Sequence, residues 1–319
     1  MKKYLLLAVF AVSLASCKKE DKVTEAAEAI PVKMEIERFD KLFYESKPEE
    51  LPQLKNKYPF FFPAGNADTV WTNKLSNPLL RELYGEVKKK YPNNSAFEDD
   101  LEQLFKRIKF YYPETQTPKV ITLISEVDTD AKAIYADSLA LISLDTYLGK
   151  DHRYYEGFPK YMRQGFEPSQ MFPDLVSSFS QGKIAPPTDR SLLGQMIYFG
   201  KELYMKDMLL PDATDGVKIE YTDEQIQWCK ENESEIWKYF INNKILYDTD
   251  VKLMQRFVSV GPYSKFYLEI DNESPGRVGQ WLGWQIVRSY MNNNDVSLQK
   301  MLAMDAKEIF DNSKYKPKK

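Results

Sequence analysis

Apolar side chains in much of the sequence recur every three or four residues, the spacing that places them on one face of an α-helix. The pattern is clearest after Gly149, and two earlier segments share it. Polar caps and prolines mark the ends, such as Asn93, Asn94 or Ser95 at the start of one segment and Pro113 after it. The periodicity predicts helices over Asn77 to Tyr91, Ser95 to Tyr112, Pro168 to Gln181, Arg190 to Leu209, Asp223 to Asn242, Asp248 to Val258 and Pro275 to Met291.

Four shorter segments in the first half of the chain have the pattern of β-strands. Met34 to Phe39 alternates apolar and polar residues, as a half-buried strand does. Lys119 to Ser125 and Ser138 to Leu144 are rich in strand-forming residues, and a shorter run covers Ala133 to Ala136. Strands followed by a helical body predict an α+β fold that is mostly helical, with a small β-sheet in the N-terminal half.

The first 16 residues have the pattern of a secretory signal peptide. Lys2 and Lys3 precede an apolar run from Tyr4 to Leu14, which is about half the length that a membrane-spanning helix needs. The small residues Ala15 and Ser16 then lead to Cys17, as they do before the acylated cysteine of bacterial lipoproteins. We therefore expect a lipid on Cys17 that attaches the protein to a membrane. The alternative is an ordinary signal peptide followed by a chance cysteine.

The segment after the signal is charged and rich in alanine, without sustained apolar periodicity. We predict that residues 17–31 form a flexible tether and that residues 32–319 form a single globular domain. The tether begins Lys18-Lys19-Glu20-Asp21, which resembles the start of lipoproteins that Bacteroidetes display on the cell surface. A solvated linker explains these four residues equally well. We expect attachment to the outer rather than the inner membrane, with the domain facing the periplasm rather than the surface.

Charge and cysteine content exclude two classes of interaction. A formal net charge of −3 gives no positively charged surface for nucleic acid, so no nucleic-acid partner is expected. With Cys17 assigned to lipid, Cys229 has no second cysteine for an intramolecular disulfide. Cys229 follows Trp228 in a helical pattern, which predicts a buried thiol, with an intermolecular bridge as the alternative.

The chain has a single histidine, His152, which limits its catalytic chemistry. Catalytic zinc sites commonly use two or three histidines, and a histidine-activated nucleophile has only this imidazole available. His152 lies in a polar loop after a predicted strand, where exposure or a structural hydrogen bond is expected. Asp145 follows the same strand, and it either caps the next turn or orients a partner group. The sequence contains no Gly-x-Ser-x-Gly elbow and no phosphate-binding loop.

Glycines punctuate two of the predicted helices. Gly194 and Gly200 each cost about 1 kcal/mol relative to alanine within a helix, which predicts that they permit close packing. In the last long helix, Gly279 and Gly283 are four residues apart and form a flat strip. The strip predicts contact with another helix, with a ligand groove as the alternative. Before it, Ser274 is predicted to cap the helix and Pro275 to occupy the first turn.

Three segments, in this order behind the signal peptide, resemble the GldB family of gliding-motility lipoproteins from Bacteroidetes. They are ISLDTYLG at 142–149, QMIYFGKELY at 195–204 and PGRVGQWLGWQIV at 275–287, and the resemblance extends over most of the mature protein. The family in turn resembles predicted zinc-dependent peptidases with a zincin-like arrangement. In those proteins a His-Glu-x-x-His helix follows a strand of the ISLD type, and a glycine-rich helix comes later.

The sequence departs from the peptidase pattern at the metal-binding helix. By position, Gly194 and Tyr198 replace the two histidines and Gln195 replaces the general base. Glycine supplies no ligand, glutamine does not accept the proton, and tyrosine is a poor substitute for imidazole. The resemblance therefore implies a degenerate zincin-like scaffold that has no metal site, no cofactor and no catalytic residues.

The resemblance implies a membrane-anchored, non-catalytic envelope component required for gliding motility and the associated protein secretion. Its expected partners are the membrane, through Cys17, and envelope proteins of the gliding and secretion machinery. A groove remaining at the lost active site would bind a protein or peptide. Its candidate lining residues, each of which is otherwise explained by core packing, are Asp145, Gln195, Tyr198, Trp281 and Trp284. The alternative function is a peptidase-like hydrolase that uses non-standard residues such as Asp145 with His152.

Overall fold

The computed structural model describes residues 22–318. The predicted signal peptide and Cys17 lie outside the described residues. The strands are β1 (Glu35–Arg38), β2 (Lys119–Leu123), β3 (Ala133–Ala136) and β4 (Leu139–Ser143). The helices are α1 (22–28), α2 (Phe39–Tyr44), α3 (Leu51–Lys57), α4 (Asp68–Ser76), α5 (Pro78–Lys90), α6 (Glu98–Tyr111), α7 (Lys160–Arg163), α8 (Met171–Ser180), α9 (Leu192–Leu209), α10 (Asp215–Ile219), α11 (Asp223–Asn242), α12 (Val251–Phe257), α13 (Val278–Asn293), α14 (Leu298–Ala303) and α15 (Ala306–Ser313).

The four strands form one mixed sheet in the order β1-β2-β4-β3. β1, β2 and β4 are parallel, with Ile36 opposite Val120 and Val120 opposite Ala140. β3 pairs antiparallel with β4 through a two-residue connection at Asp137 and Ser138. All four predicted strands are present within a residue or two of their predicted ends, and the α+β prediction is confirmed.

Alternate residues of the central strands enter two different hydrophobic cores. Val120 on β2 belongs to the large core shared with the C-terminal helices, as do Ala140 and Ile142 on β4. The next residue of β2, Ile121, belongs to a smaller aromatic core with residues of α2 to α5. Successive strand side chains point to opposite faces, so the sheet separates the two cores. Both faces are covered, which explains the nearly continuous apolar sequence of β2 and β4.

The two longest glycine-containing helices, α9 and α13, pack with their backbones in contact. A Cβ atom added to Gly200 would overlap the backbone of Gly283, and one added to Gly283 would overlap the Met196 carbonyl group. The contacts run from Met196 with Gly279 to Asp207 with Arg288, so the helices run in the same direction. This confirms the predicted close packing at Gly200 and at the strip of Gly279 and Gly283.

The predicted start of α13 is wrong. The helix begins at Val278, after Arg277 in a left-handed conformation with φ of 65°. Ser274 does not cap it, because its single hydroxyl proton is shared between the carbonyl oxygens of Ser264 (2.8 Å) and Asp271 (2.9 Å). The Ser264 hydroxyl instead accepts the Val278 N–H at 3.2 Å. A residue from a preceding loop therefore takes the capping role that the local sequence assigned to Ser274.

The described part of the protein begins in a helix that contacts the body of the molecule. Residues 22–28, inside the segment predicted to be a tether, form α1, and Ala27 is buried. Arg107 on α6 donates to the Thr24 hydroxyl at 2.7 Å and to the Met208 carbonyl oxygen at 3.2 Å. α1 therefore lies beside the C-terminal end of α9. Among residues 22–318, no helix combines the length and apolar character required of a membrane span.

Candidate functional site

The first turn of α9 is fixed by local hydrogen bonds. The Ser191 hydroxyl caps α9 by accepting the Gly194 N–H at 3.0 Å. The Asp189 carboxylate accepts the Ser191 N–H at 2.8 Å. A Cβ atom at Gly194 would lie 2.8 Å from that carboxylate, so glycine lets the 187–191 segment fold tightly against the helix.

A small pocket opens beside this turn. Gly194, Tyr198 and Lys201 follow one another at spacings of four and three residues, which places them on one face of α9. The pocket has a volume of about 140 Å³. Its other walls come from two segments that are distant in sequence, namely Ala185, Pro186, Pro187 and Thr188 on one side and Ala303, Met304, Asp305 and Ala306 on the other. The pocket is the size of one small side chain, and its walls are largely apolar.

Lys201 brings a buried positive charge to the pocket. The residue is only 2% exposed, and its ammonium group donates to the carbonyl oxygens of Leu302 (3.1 Å) and Met304 (2.5 Å). Burial lowers the pKa of Lys201 to about 8, although the nearby Asp305 carboxylate acts in the opposite direction. Sequence reasoning missed this residue. The sequence feature that could have indicated it is a lysine at helical spacing after Gly194 and Tyr198, on a face of α9 that is otherwise apolar.

The predicted groove residues on α13 do not line this pocket. Trp281 and Trp284 are buried in the core, with exposures of 1% and 0%. The Trp284 indole N–H donates to the Asp207 carboxylate at 2.8 Å, and the Arg288 guanidinium lies 3.7 Å from the ring centroid. The backbone contact at Gly283 draws α13 onto α9, which leaves no space for a groove there. For both tryptophans, core packing replaces the predicted lining role.

The two predicted groove residues on α9 differ in position. Tyr198 lines the pocket, whereas Gln195 is half-buried and lies outside the lining. Helical geometry explains the difference, because Gln195 is one residue beyond Gly194 and is therefore turned about 100° away from the pocket.

Asp145 lies elsewhere and organises a loop. Its buried carboxylate accepts the N–H groups of Ser125 (2.9 Å) and Val127 (2.6 Å), which follow β2. Glu126 and Val127 have φ angles of 65° and 61°, a costly conformation for a β-branched residue. Burial raises the pKa of Asp145, and the backbone N–H donors only partly oppose that effect. The carboxylate ties the end of β2 to the end of β4 rather than capping the turn that follows it.

His152 also has local partners. Its Nδ1 atom accepts the Tyr154 N–H at 3.4 Å, and its Nε2 atom lies 3.5 Å from the Glu86 carboxylate. Among the hydrogen bonds of the described residues, none joins the His152 imidazole to the Asp145 carboxylate. The expected structural hydrogen bond of His152 is therefore present. Cys229 is fully buried, as predicted, and burial raises the pKa of its thiol well above the ordinary range.

A second and larger cleft, of about 530 Å³, lies at the opposite end of α9. It is bounded by α6, the start of α8 and the α9–α10 connection, and Arg107 is part of its lining. Sequence reasoning missed this cleft because its walls come from three separate stretches of the polypeptide. Within residues 22–318, no group of three or more His, Cys, Asp or Glu side chains is arranged to hold a metal ion.

Comparison with known proteins identifies the family. The model of the gliding motility protein GldB family matches residues 19–317, which is nearly the whole sequence. No curated protein and no solved structure matches this chain. The family match covers the sheet, α9 with its pocket, and α13. The chain therefore belongs to the family of the gliding motility protein GldB.

Proposed function

We propose that this protein is a non-catalytic, lipid-anchored component of the gliding machinery and of the protein secretion associated with it. Family membership implies a role in gliding motility. The finer proposal is that the domain acts by binding other envelope proteins. We also propose that the domain is a degenerate zincin-like scaffold. In support, α9 comes later in the sequence than β4, and the glycine-rich α13 packs on α9.

The single observation that supports a non-catalytic role most strongly is the chemistry of the α9 pocket. Gly194 and Tyr198, the positions that the peptidase resemblance assigns to the two histidine ligands, line it. The Lys201 ammonium lies on the same face, one turn further along α9. A buried cation repels a divalent metal ion, because charges interact strongly where water is excluded. The residues of the pocket therefore do not fit zinc.

The alternative hydrolase receives no comparable support. Asp145 is buried and committed to the loop after β2, and His152 is hydrogen-bonded within its own turn. A general base requires a partner within hydrogen-bonding reach of the group it activates, and these two residues have separate partners.

Membrane attachment through Cys17 completes the proposal. One acyl group binds a membrane only marginally, whereas two or more give stable attachment, as bacterial lipoproteins require. The proposed location is the outer membrane, with the domain facing the periplasm. The proposed partners are envelope proteins of the gliding and secretion machinery.

Complementation of a gene-deletion strain tests this proposal. We expect His152→Ala to restore gliding fully, because a binding protein does not need the imidazole. We expect Cys17→Ser to leave the membrane fraction and to fail in gliding, although the domain still folds. Loss of gliding with a stably folded His152→Ala protein, or unchanged membrane association of Cys17→Ser, would contradict the proposal.

A further inference from the structure

We propose that the pocket beside Lys201 binds a carboxylate group presented by a protein partner. This inference rests on the proposed binding function and names the chemical group that the α9 pocket recognises. The inference is based on which lysines of low exposure form a salt bridge with a carboxylate and which do not.

Lys201 differs from three other lysines of low exposure in making no salt bridge within residues 22–318. Lys132, Lys206 and Lys218 are each paired with a carboxylate, at 2.7, 3.4 and 3.1 Å respectively. Among the described residues, no carboxylate lies within salt-bridge distance of Lys201, whose two partners are backbone carbonyl groups. Buried charges in proteins are normally paired, because an unpaired charge loses its hydration without compensation. An anion in the pocket would supply the missing pair.

The donor geometry leaves room for such a ligand. A lysine ammonium has three N–H donors, and Leu302 and Met304 use two of them. No described residue accepts the third N–H, and Lys201 is part of the pocket lining. A charge-assisted hydrogen bond from this donor to a carboxylate would be stronger than one to a neutral group.

The size and walls of the pocket select the kind of anion. About 140 Å³ accommodates a carboxylate with a short aliphatic stem, and the alanine and proline side chains of the walls suit that stem. A single ammonium balances one negative charge rather than two, which favours a carboxylate over a phosphate. The Asp305 carboxylate, which also lines the pocket, favours the charged form of Lys201 but forms no salt bridge with it. Its oxygens instead accept the Thr188 hydroxyl at 2.6 Å and the Lys307 N–H at 2.8 Å.

Two protein groups carry this chemistry, the carboxyl terminus of a polypeptide and an acidic side chain. Three probes distinguish them, namely N-acetylalanine, N-acetylalaninamide, and a glutamate residue with both backbone ends blocked. Binding to the full-length protein in detergent is followed by the increase in Tm with probe concentration, because a ligand of the native state stabilises it. We expect at least one of the two carboxylate probes to raise Tm in a saturable manner and the amide to have no effect.

Comparing probe binding by three variants with that of the wild type tests whether the probes bind in the pocket. Lys201→Gln removes the charge, and we expect it to weaken carboxylate binding at least tenfold. Lys206→Gln is the matched control, a buried lysine on the same helix that already has a carboxylate partner, and it should bind as the wild type does. Ala303→Leu fills the pocket from an exposed position, so it tests the pocket even if Lys201→Gln fails to fold.

Three results would overturn the inference. They are equal binding of the amide and carboxylate probes, unchanged binding by Lys201→Gln or Ala303→Leu, and no saturable effect of any carboxylate on the folded wild type. Because the measurement is binding by the purified protein, such a failure is separate from failure of the proposed function, which is measured as gliding of cells.

Discussion

At the scale of single residues, Asp145 holds an unfavourable backbone conformation in place. Its carboxylate accepts two N–H groups from a loop in which consecutive residues have positive φ. Strained backbone persists only where the surroundings compensate for its cost. A buried acidic residue after a strand suggested a functional site in the sequence, but the partner that explains it is a loop about 20 residues earlier.

We expect Asp145→Asn to destabilise the protein by about 2 kcal/mol, because the new amide places an N–H donor against a backbone N–H. Chemical denaturation measures the loss. Asp137→Asn is the control, since Asp137 is exposed in the β3–β4 turn at φ of 46°, a conformation that asparagine adopts readily. Equal stability of the Asp145 and Asp137 variants would show that the carboxylate does not organise the loop.

The buried Lys201 makes stability depend on pH. Burial lowers its pKa to about 8 from the ordinary value of 10.5. The unfolded protein therefore binds this proton more tightly than the folded protein, and stability rises with pH between these two values.

Relative to Lys201→Met, the wild type should gain about 2 kcal/mol in unfolding free energy between pH of about 7 and about 9.5. Denaturation of both proteins at the two pH values measures this difference, because the other titrating groups are common to both. Parallel pH dependence of the two proteins would mean that Lys201 is not held in a charge-disfavouring environment.

At the scale of secondary-structure elements, the contact between α9 and α13 determines the packing of the helical body. Glycine at positions 200 and 283 allows the backbones to touch, and that contact buries both tryptophans of α13. The sequence indicated close packing through the glycine spacing. It did not indicate which helix was the partner, so the tryptophans remained candidates for a groove.

Gly283→Ala should cost more than about 3 kcal/mol, roughly the loss caused by severe overpacking of a core. The added methyl group would overlap the Met196 carbonyl group, and a helix backbone does not move aside as a flexible side chain does. Gly85→Ala is the matched control on α5, where a Cβ meets no atom within 4 Å. That variant should gain about 0.5–1 kcal/mol from helix propensity. Thermal unfolding of both variants tests the contrast, and a mild effect at Gly283 would contradict the close approach.

Long periodic helices and apolar strands were predictable from the sequence, whereas short helices were not. α2, α3 and α4 have six to nine residues and lack a side-chain hydrogen bond at the N-cap, so tertiary contacts with the aromatic core hold them. The short helices α14 and α15 are exceptions, because Ser297 and Asp305 are N-cap residues of a type that is recognisable in the sequence. For the pocket, the spacing of Gly194, Tyr198 and Lys201 was readable, but the walls from 185–188 and 303–306 meet only in the folded protein.

At the scale of the whole molecule, the pocket with Lys201 and the larger cleft lie toward opposite ends of α9. The larger cleft and α1 are beside its C-terminal end. The pocket with Lys201 is nearer the N-terminal end of an 18-residue helix, which is about 27 Å long. The proposed carboxylate site is therefore separated from α1 along the length of α9.

The central claim is that this scaffold works by binding rather than by metal-dependent hydrolysis. The most direct measurement is the zinc content of the full-length protein, purified from membranes without a histidine tag, equilibrated with zinc and then dialysed. The Lys201 ammonium and the absence of histidine from α9 predict far less than one zinc ion per protein molecule. One zinc ion retained per molecule, and lost in a Tyr198→Phe variant, would contradict the account.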